Sequence, residues 1–202
     1  VFCVDTVSSM GGTSIPVDEL GIDFCITSTQ KCLGCPPGMS VASVSKKAYE
    51  RAKTVPNRGL YLDIVEIYDK VVKDDKYQYP STPSESHMFA LQEELTYMLE
   101  VEGLENRYAR HLEMAEYIRA WARKYFAIFS DERYLSPTLT TIKNTRGISV
   151  ADLNKKLGEK GIEISNGYGD LKEKTFRISH MADMTMDDMK LVTSAIEEVL
   201  GL

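Results

Sequence analysis

Hydrophobic and polar positions follow three different rhythms along this chain, and each predicts a different kind of element. Two short runs, "VFCVD" (1–5) and "IDFCITS" (22–28), are mostly apolar, without polar alternation, and rich in β-formers. Runs of this kind predict buried parallel strands. The stretch between them, "SSMGGTSIPVDELG", carries Gly11, Gly12 and Pro16 as breakers and reads as loop. "MSVASVS" (39–45) alternates and predicts a third strand. It follows the Pro36-Pro37-Gly38 turn too closely for a helical crossover, so its neighbour should be antiparallel.

A helical rhythm then takes over. "KKAYERAKT" predicts a short helix, and "YLDIVEIYDKVVKDD" sets Leu62, Val65, Tyr68 and Val72 on one face. "TPSE" (82–85) has the form of a capping box, with Thr82 as cap, Pro83 in the first turn and Glu85 at the third position. It should start a helix that runs to about Val101. Gly103 interrupts, and an amphipathic helix follows from about Leu104 to Tyr125. Its stripe is Leu104, Tyr108, Leu112, Ala115, Ile118, Ala122 and Tyr125.

The last third mixes both rhythms. "TLTTIKN" (138–144), "IEISN" (162–166) and "KTFRISHM" (174–181) predict strands. Ser149 with Asp152 caps one intervening helix, ended by Gly161; Thr185 with Asp188 caps another, ended by Gly201. The order strand–helix–strand–strand–helix predicts a small α+β unit. A boundary near Gly103 divides the chain into residues 1–102 and residues 103–202. The fold class expected is α/β, a mixed and mostly parallel sheet followed by that α+β domain.

Composition narrows the function. The 202 residues are 43% hydrophobic and 27% charged, ordinary for a globular chain able to bury a core. A net charge of −6 argues against nucleic acid or an anionic membrane surface as a main partner. No apolar run approaches the roughly 18 residues that span a bilayer, and the first residues have no basic leader. The chain opens on Val1 in what reads as a buried strand, which predicts a piece of a longer protein. Four cysteines fall at 3, 25, 32 and 35, too clustered for a disulfide scaffold, and predict a reducing, cytoplasmic compartment. Cys3 and Cys25 should be small core residues.

Candidate chemistry concentrates in "TSTQKCLGCPPG" (27–38). Cys32-x-x-Cys35 could belong to a zinc or redox site. A structural zinc needs a second ligand pair that no downstream segment supplies, and a redox pair would open a helix, whereas Pro36-Pro37 follows here. The two cysteines read as incidental to a tight turn, and His111 and His180 read as structural. Lys31 directly follows a buried strand and Asp5 closes another. In α/β folds ligands bind beyond the carboxyl ends of parallel strands, so both residues should open into one crevice.

These residues carry a resemblance. "IDFCITSTQKCLGCPPGMSVA" resembles the lysine segment of class V, fold-type I, pyridoxal-phosphate aminotransferases, nearest the alanine–glyoxylate/serine–pyruvate group. "VDTVSSMGG" resembles that family's Asp-x-x-Ser-Ser-x-Gly segment. "FRISHM" falls where the family carries its substrate-carboxylate arginine, and "YPSTP" resembles a segment that reaches the partner subunit's site. The resemblance implies pyridoxal 5'-phosphate as cofactor and Lys31 as its Schiff-base lysine. It implies Asp5 on the ring nitrogen, Val7 against the ring face, and Ser28 and Gln30 as hydrogen-bonding groups, Gln30 on the phosphate. Tyr79 and Thr82 would touch the cofactor phosphate of the opposite subunit of a homodimer. Arg177 would grip the substrate carboxylate through a planar two-bond fork that lysine cannot copy.

The implied reaction moves an amino group from a small amino acid, alanine or serine, to a 2-oxo acid, glyoxylate or pyruvate. The family's N-terminal half, with its ring-stacking aromatic and most of its phosphate cradle, is missing from this sequence, so this chain alone should be inactive. Two alternatives stay open. One is a pyridoxal-phosphate lyase of the cysteine desulfurase type, although such enzymes carry His before the lysine and a catalytic cysteine downstream, where this chain has Gln30 and none. The other is a non-catalytic fragment that serves only in dimerisation.

Overall fold

The computed structural model describes residues 1–73 and 78–202 and divides their strands between two sheets. The first holds β1 (Cys3–Asp5), β2 (Phe24–Ser28) and β3 (Ser40–Val44) in that order, β1 parallel and β3 antiparallel to β2. Both directions match the sequence expectation. The predicted burial of "VFCVD" does not hold: Val1 and Phe2 are exposed, and so is Cys3, so that only Cys25 of that pair is core. β1 is an edge strand with β2 on one side only, so its apolar side chains have no cover among the described residues. Asp23 ties this sheet to the head of the first helix. Its carboxylate accepts bonds from Phe2 N at 2.8 Å, Ser45 Oγ at 2.9 Å and Lys47 Nζ at 2.7 Å. The Lys47 ammonium, helped by the Phe2 amide, holds that carboxyl far below the usual range.

Ser45 caps α1 (Lys46–Lys53) by accepting from Ala48 N. α2 (Ile64–Tyr68) passes into a π-helical turn, Asp69–Lys73. Of the predicted stripe only Val65 is buried, while Leu62, Tyr68 and Val72 face water; Asp74 and Asp75, the end of that run, lie outside the described residues. α3 (Glu85–Thr96) starts later than predicted. Ser84 stands at its cap and Thr82 is exposed two residues before, and Ser84 Oγ bonds His87 Nδ1 at 2.7 Å instead of a backbone amide. No capping box forms at Thr82. The helix continues in π form through Tyr97–Glu102 and stops at Gly103, whose φ of 79° a side chain would strain.

α4 (Leu104–Tyr125) has the predicted span and a rotated inner face. Leu112 is exposed, and the buried line is Arg107, His111, Met114, Ile118 and Trp121, flanked by Ala115 and Ala122. The apolar stripe missed the turn at which the inner face becomes polar. Beyond α4, β4 (Ala127–Ile128), β5 (Leu139–Lys143), β6 (Ser165–Asn166) and β7 (Thr175–Ser179) form an antiparallel sheet ordered β4-β5-β7-β6. β4 is too short to leave a sequence rhythm. α5 (Val150–Gly158) is capped by Ser149 as predicted but ends before Gly161, through a turn in which Ile162 N donates to Leu157 O. α6 (Met186–Leu200) has the full capping box of Thr185 and Asp188 and ends on left-handed Gly201. A single core joins α4, α5, α6 and this sheet, with Phe176 edge-on to Phe126 at 5.1 Å between ring centres. No helix of the described residues is long and apolar enough to cross a membrane.

Candidate active site

Lys31 sits in the turn that follows β2, and its backbone is held from several directions. Lys31 N donates to Ser28 O at 3.3 Å, Gly34 N to Lys31 O at 3.0 Å, and Cys35 N to Thr29 O at 2.9 Å. Buried Thr29 fixes the far side, its hydroxyl bonded to Pro36 O and Met39 O. The side chain of Lys31 remains partly accessible. A primary amine on a rigid turn at a strand's carboxyl end is well placed to meet a carbonyl.

Asp5 ends β1, which runs parallel to β2 with Asp5 opposite Ile26, so Asp5 and the Lys31 turn lie at the same edge of the sheet. Asp5 is exposed, and its Oδ1 accepts from Val7 N at 2.8 Å, which leaves Oδ2 for another donor. Val7 is half-buried in the loop beyond. Ser28 Oγ donates to Gln30 Oε1, so that the amide nitrogen of exposed Gln30 keeps both of its N–H donors.

Arg177 comes from β7, an inner strand, with Thr141 and Ser165 as register partners. Its Nη2 reaches Asn166 O at 3.5 Å, and its Nε is buried with no hydrogen-bond partner. An unpaired buried donor is costly and uncommon outside sites that await a ligand. The guanidinium lies over the ring of Tyr168, 4.0 Å from its centre. Arg177, with a smaller contribution from Lys31, holds the Tyr168 phenol below its ordinary range. Tyr168 stands in the turn after β6 and Arg177 in β7, so the two come from neighbouring segments of the four-stranded sheet.

Arg107 locks the two sheets together. It is fully buried, donating from Nε to Gly11 O at 3.1 Å and from Nη2 to Cys32 O at 2.9 Å, next to Lys31. Glu94, Glu102 and Asp183 surround the same guanidinium at 3.0, 2.7 and 3.0 Å. Gly12 lets the loop after β1 close onto this junction; a Cβ there would stand 2.4 Å from Thr138 Cγ2 and 3.0 Å from both Cys32 Sγ and His111 Cδ2. Neither Arg107 nor Tyr168 was marked by the apolar pattern. Arg107 could have been found, because it and His111 continue the spacing of Met114, Ile118 and Trp121.

His111 and His180 are both buried, and burial lowers both pKa values, that of His180 to about 4. His180 donates from Nδ1 to Pro137 O and bonds Thr140 Oγ1 through Nε2, a packing role. The Cys32 and Cys35 thiols are buried against the Ser8 and Leu33 carbonyls, and burial pushes both up. Tyr79 lies elsewhere, in an open groove with Met39, Met88, Leu91 and Leu95, and Thr82 is exposed. No described contact joins either of them to Lys31.

Comparison with known proteins agrees with this fold. The chain is 40% identical over 184 residues to an uncharacterized aminotransferase of Methanocaldococcus jannaschii, covering 90% of this chain and 47% of that protein. It is 34% identical over 206 residues to an alanine–glyoxylate aminotransferase of Callithrix jacchus, covering 98% of this chain and 49% of that protein. The chain thus spans about half the length of the curated relatives it matches. The crystal structure of an alanine–glyoxylate aminotransferase from a Nostoc species superposes with a TM-score of 0.90 at 30% identity, over 98% of this chain and 53% of the other. The pattern of the class-V aminotransferases matches residues 1–192, and the chain belongs to that family.

Proposed function

We propose that this chain supplies the lysine, ring-partner and carboxylate-binding residues of a pyridoxal-phosphate-dependent aminotransferase. Its reaction moves an amino group from alanine or serine to glyoxylate or pyruvate. The observation that carries the reading is the placement of Asp5 and the Lys31 turn at the carboxyl ends of neighbouring parallel strands, together with the buried, unpartnered Nε of Arg177. The donor set fits the cofactor, since an amine, a carboxylate with one free oxygen and an arginine with an unpaired N–H are the groups it and its substrate require.

Pyridoxal phosphate, when bound, supplies the electron sink that lets the substrate Cα–H ionise. Lys31 Nζ would hold the cofactor, and as a primary amine free to change protonation it would carry the proton away from the substrate Cα. Asp5, with Oδ2 unengaged, would hold the ring nitrogen and favour its protonated form. Gln30, steadied by Ser28, would hold the phosphate, and Val7 would pack against the ring. Arg177 grips the carboxylate with Nε and one Nη, which orients the amino group toward the reacting carbon. Tyr79 and Thr82 would hold the cofactor phosphate of the opposite subunit of a homodimer. The division near Gly103 separates the cofactor-binding residues 1–102 from residues 103–202, which bring Arg177.

Half of the relatives' length lies outside this match, so the complete enzyme combines this chain with a complementary half that carries the remaining cofactor contacts. Adding cofactor, reducing with borohydride and locating the label by mass spectrometry tests the reading. The label should sit on Lys31 and vanish in Lys31→Ala. A label elsewhere overturns the assignment. The desulfurase alternative needs an accessible thiol near the amine, and both nearby thiols are buried.

A further inference from the structure

Resting on the reading of Arg177 as the carboxylate clamp, we infer that Tyr168 is a positioning residue for that clamp. Its ring sets the orientation of the guanidinium, and so the direction of the edge formed by Nε and one Nη, before substrate arrives. Arg177 has few other restraints. Its hydrogen bond to Asn166 O is long at 3.5 Å, and Nε is buried with no partner among the described residues. An arginine side chain carries much rotamer freedom, which binding must remove unless the fold has removed it already. The Tyr168 ring, its centre 4.0 Å from the guanidinium carbon, is the contact that does so. A ring face attracts a guanidinium without consuming its N–H donors as a carboxylate partner would.

Tyr168 is itself an odd residue to find here. It is 75% exposed, so it contributes little to any core. Its backbone is nonetheless tightly fixed. Gly167 N donates to Thr175 O at 2.9 Å, and Leu171 N donates to Tyr168 O at 3.0 Å. A Cβ on Gly167 would collide with Leu171 O at 2.1 Å, so the tight turn that presents the ring requires glycine. A large exposed aromatic on a rigid turn, with its ring centre 4.0 Å from an arginine whose buried Nε lacks a partner, is placed for Arg177 and not for packing.

The test compares Tyr168→Ala, Tyr168→Phe and Arg177→Lys in the complete enzyme. On this chain alone it follows the Arg177 Nε–H resonance by NMR as pyruvate is added. Tyr168→Ala should raise KM for the amino donor about three- to tenfold, with kcat within about twofold. Tyr168→Phe keeps the ring and should stay within about twofold of the parent in both constants. The Nε–H shift should need correspondingly more pyruvate in Tyr168→Ala, and the melting temperature should not move. An unchanged or lower KM in Tyr168→Ala overturns the proposal, as does a Phe variant as impaired as the Ala variant. If Arg177→Lys weakens the donor strongly while Tyr168→Ala does nothing, only the role of Tyr168 falls. If Arg177→Lys also leaves the donor unaffected, the clamp reading falls with it.

Discussion

Phe176 and Phe89 are the same side chain in two unlike settings. Phe176, on β7, is fully buried beneath α4, α5 and α6, whereas Phe89, on α3, is 70% exposed. The contrast extends to the regions around them. The four-stranded sheet closes its apolar face with helices from its own stretch of sequence, and its core runs unbroken from Met114 to Ile196. The three-stranded sheet and its helices leave Phe2, Leu60, Tyr61 and Leu99 in water, and α3 has no buried residue. One region carries its own cover and the other does not. The uncovered region is also the one that holds Lys31 and Asp5, so the amine depends on rigidity that comes from the closed region through Arg107.

The largest effect should separate the two phenylalanines. Truncating Phe176 to Ala removes a buried ring with its edge-on partner and should cost about 3–5 kcal/mol in urea unfolding. Phe89→Ala should stay within about 0.5 kcal/mol. A comparable loss at Phe89 would mean that α3 is covered in solution, by another copy or a complementary half, and would end the contrast.

Arg107 tests the bridge between the regions. Arg107→Met leaves Glu94 and Glu102 as half-buried carboxylates without their cation and should destabilise by about 3–5 kcal/mol. The exposed pair of Arg123 and Glu132 supplies the control, since Arg123→Met should cost no more than about 1 kcal/mol. Equal costs at the two sites would deny the bridge its special place. Loosening the Cys32 carbonyl should also slow reductive labelling of Lys31 more than any change in melting temperature accounts for.

The sequence was most legible where one physical signal was sufficient. Strand directions about β2 followed from run length and the Pro36-Pro37-Gly38 turn, and the boundaries of α4 from Gly103 and periodicity. Thr185 and Asp188 predicted a box that forms. It misled where burial depends on what lies opposite. "VFCVD" is apolar enough for a core, but burial needs a neighbouring layer, and none covers β1 within these residues. Leu62 and Val72 are exposed for the same reason. Hydrophobic counting also passed over Arg107, because a buried guanidinium becomes stable only when carboxylates and carbonyls from four distant segments converge on it. Of the candidate site, Lys31, Asp5 and Arg177 were readable as motif residues. Tyr168 was not, since its significance lies in standing against Arg177 across a turn.

A pH effect of middle size belongs to the closed region. His180 is held neutral, its pKa lowered to about 4 by burial from an ordinary value near 6.5. Below pH 6.5 the unfolded chain takes up a proton that the folded chain refuses until about pH 4. Stability is therefore complete above 6.5 and is lost as pH falls through that window. The loss between pH 7 and pH 5 should be on the order of 2 kcal/mol, with His111 acting in the same direction. Urea midpoints at both pH values measure it, and His180→Asn should flatten much of the slope. A slope unchanged in that variant would assign the effect to other groups.

The smallest contrast lies in two helix starts. Thr185 receives Asp188 N on its side chain and donates its own amide to the Asp188 carboxylate, a reciprocal cap at the head of α6 in the closed region. Ser84 begins α3 in the open region without any side-chain bond to the helix backbone, its hydroxyl turned to His87. Removing the hydroxyl from the first should leave helix N–H groups unpaired and cost about 1 kcal/mol. Removing it from the second takes away an exposed side-chain contact, and Ser84→Ala should change stability by no more than about 0.5 kcal/mol. Both substitutions are small and exposed, so neither disturbs packing, and the difference isolates the cap itself. Paired chemical denaturation of Thr185→Ala and Ser84→Ala decides it. Equal losses would show that α3 uses Ser84 as a cap in solution, and the two regions would then differ in their cover but not in how their helices begin.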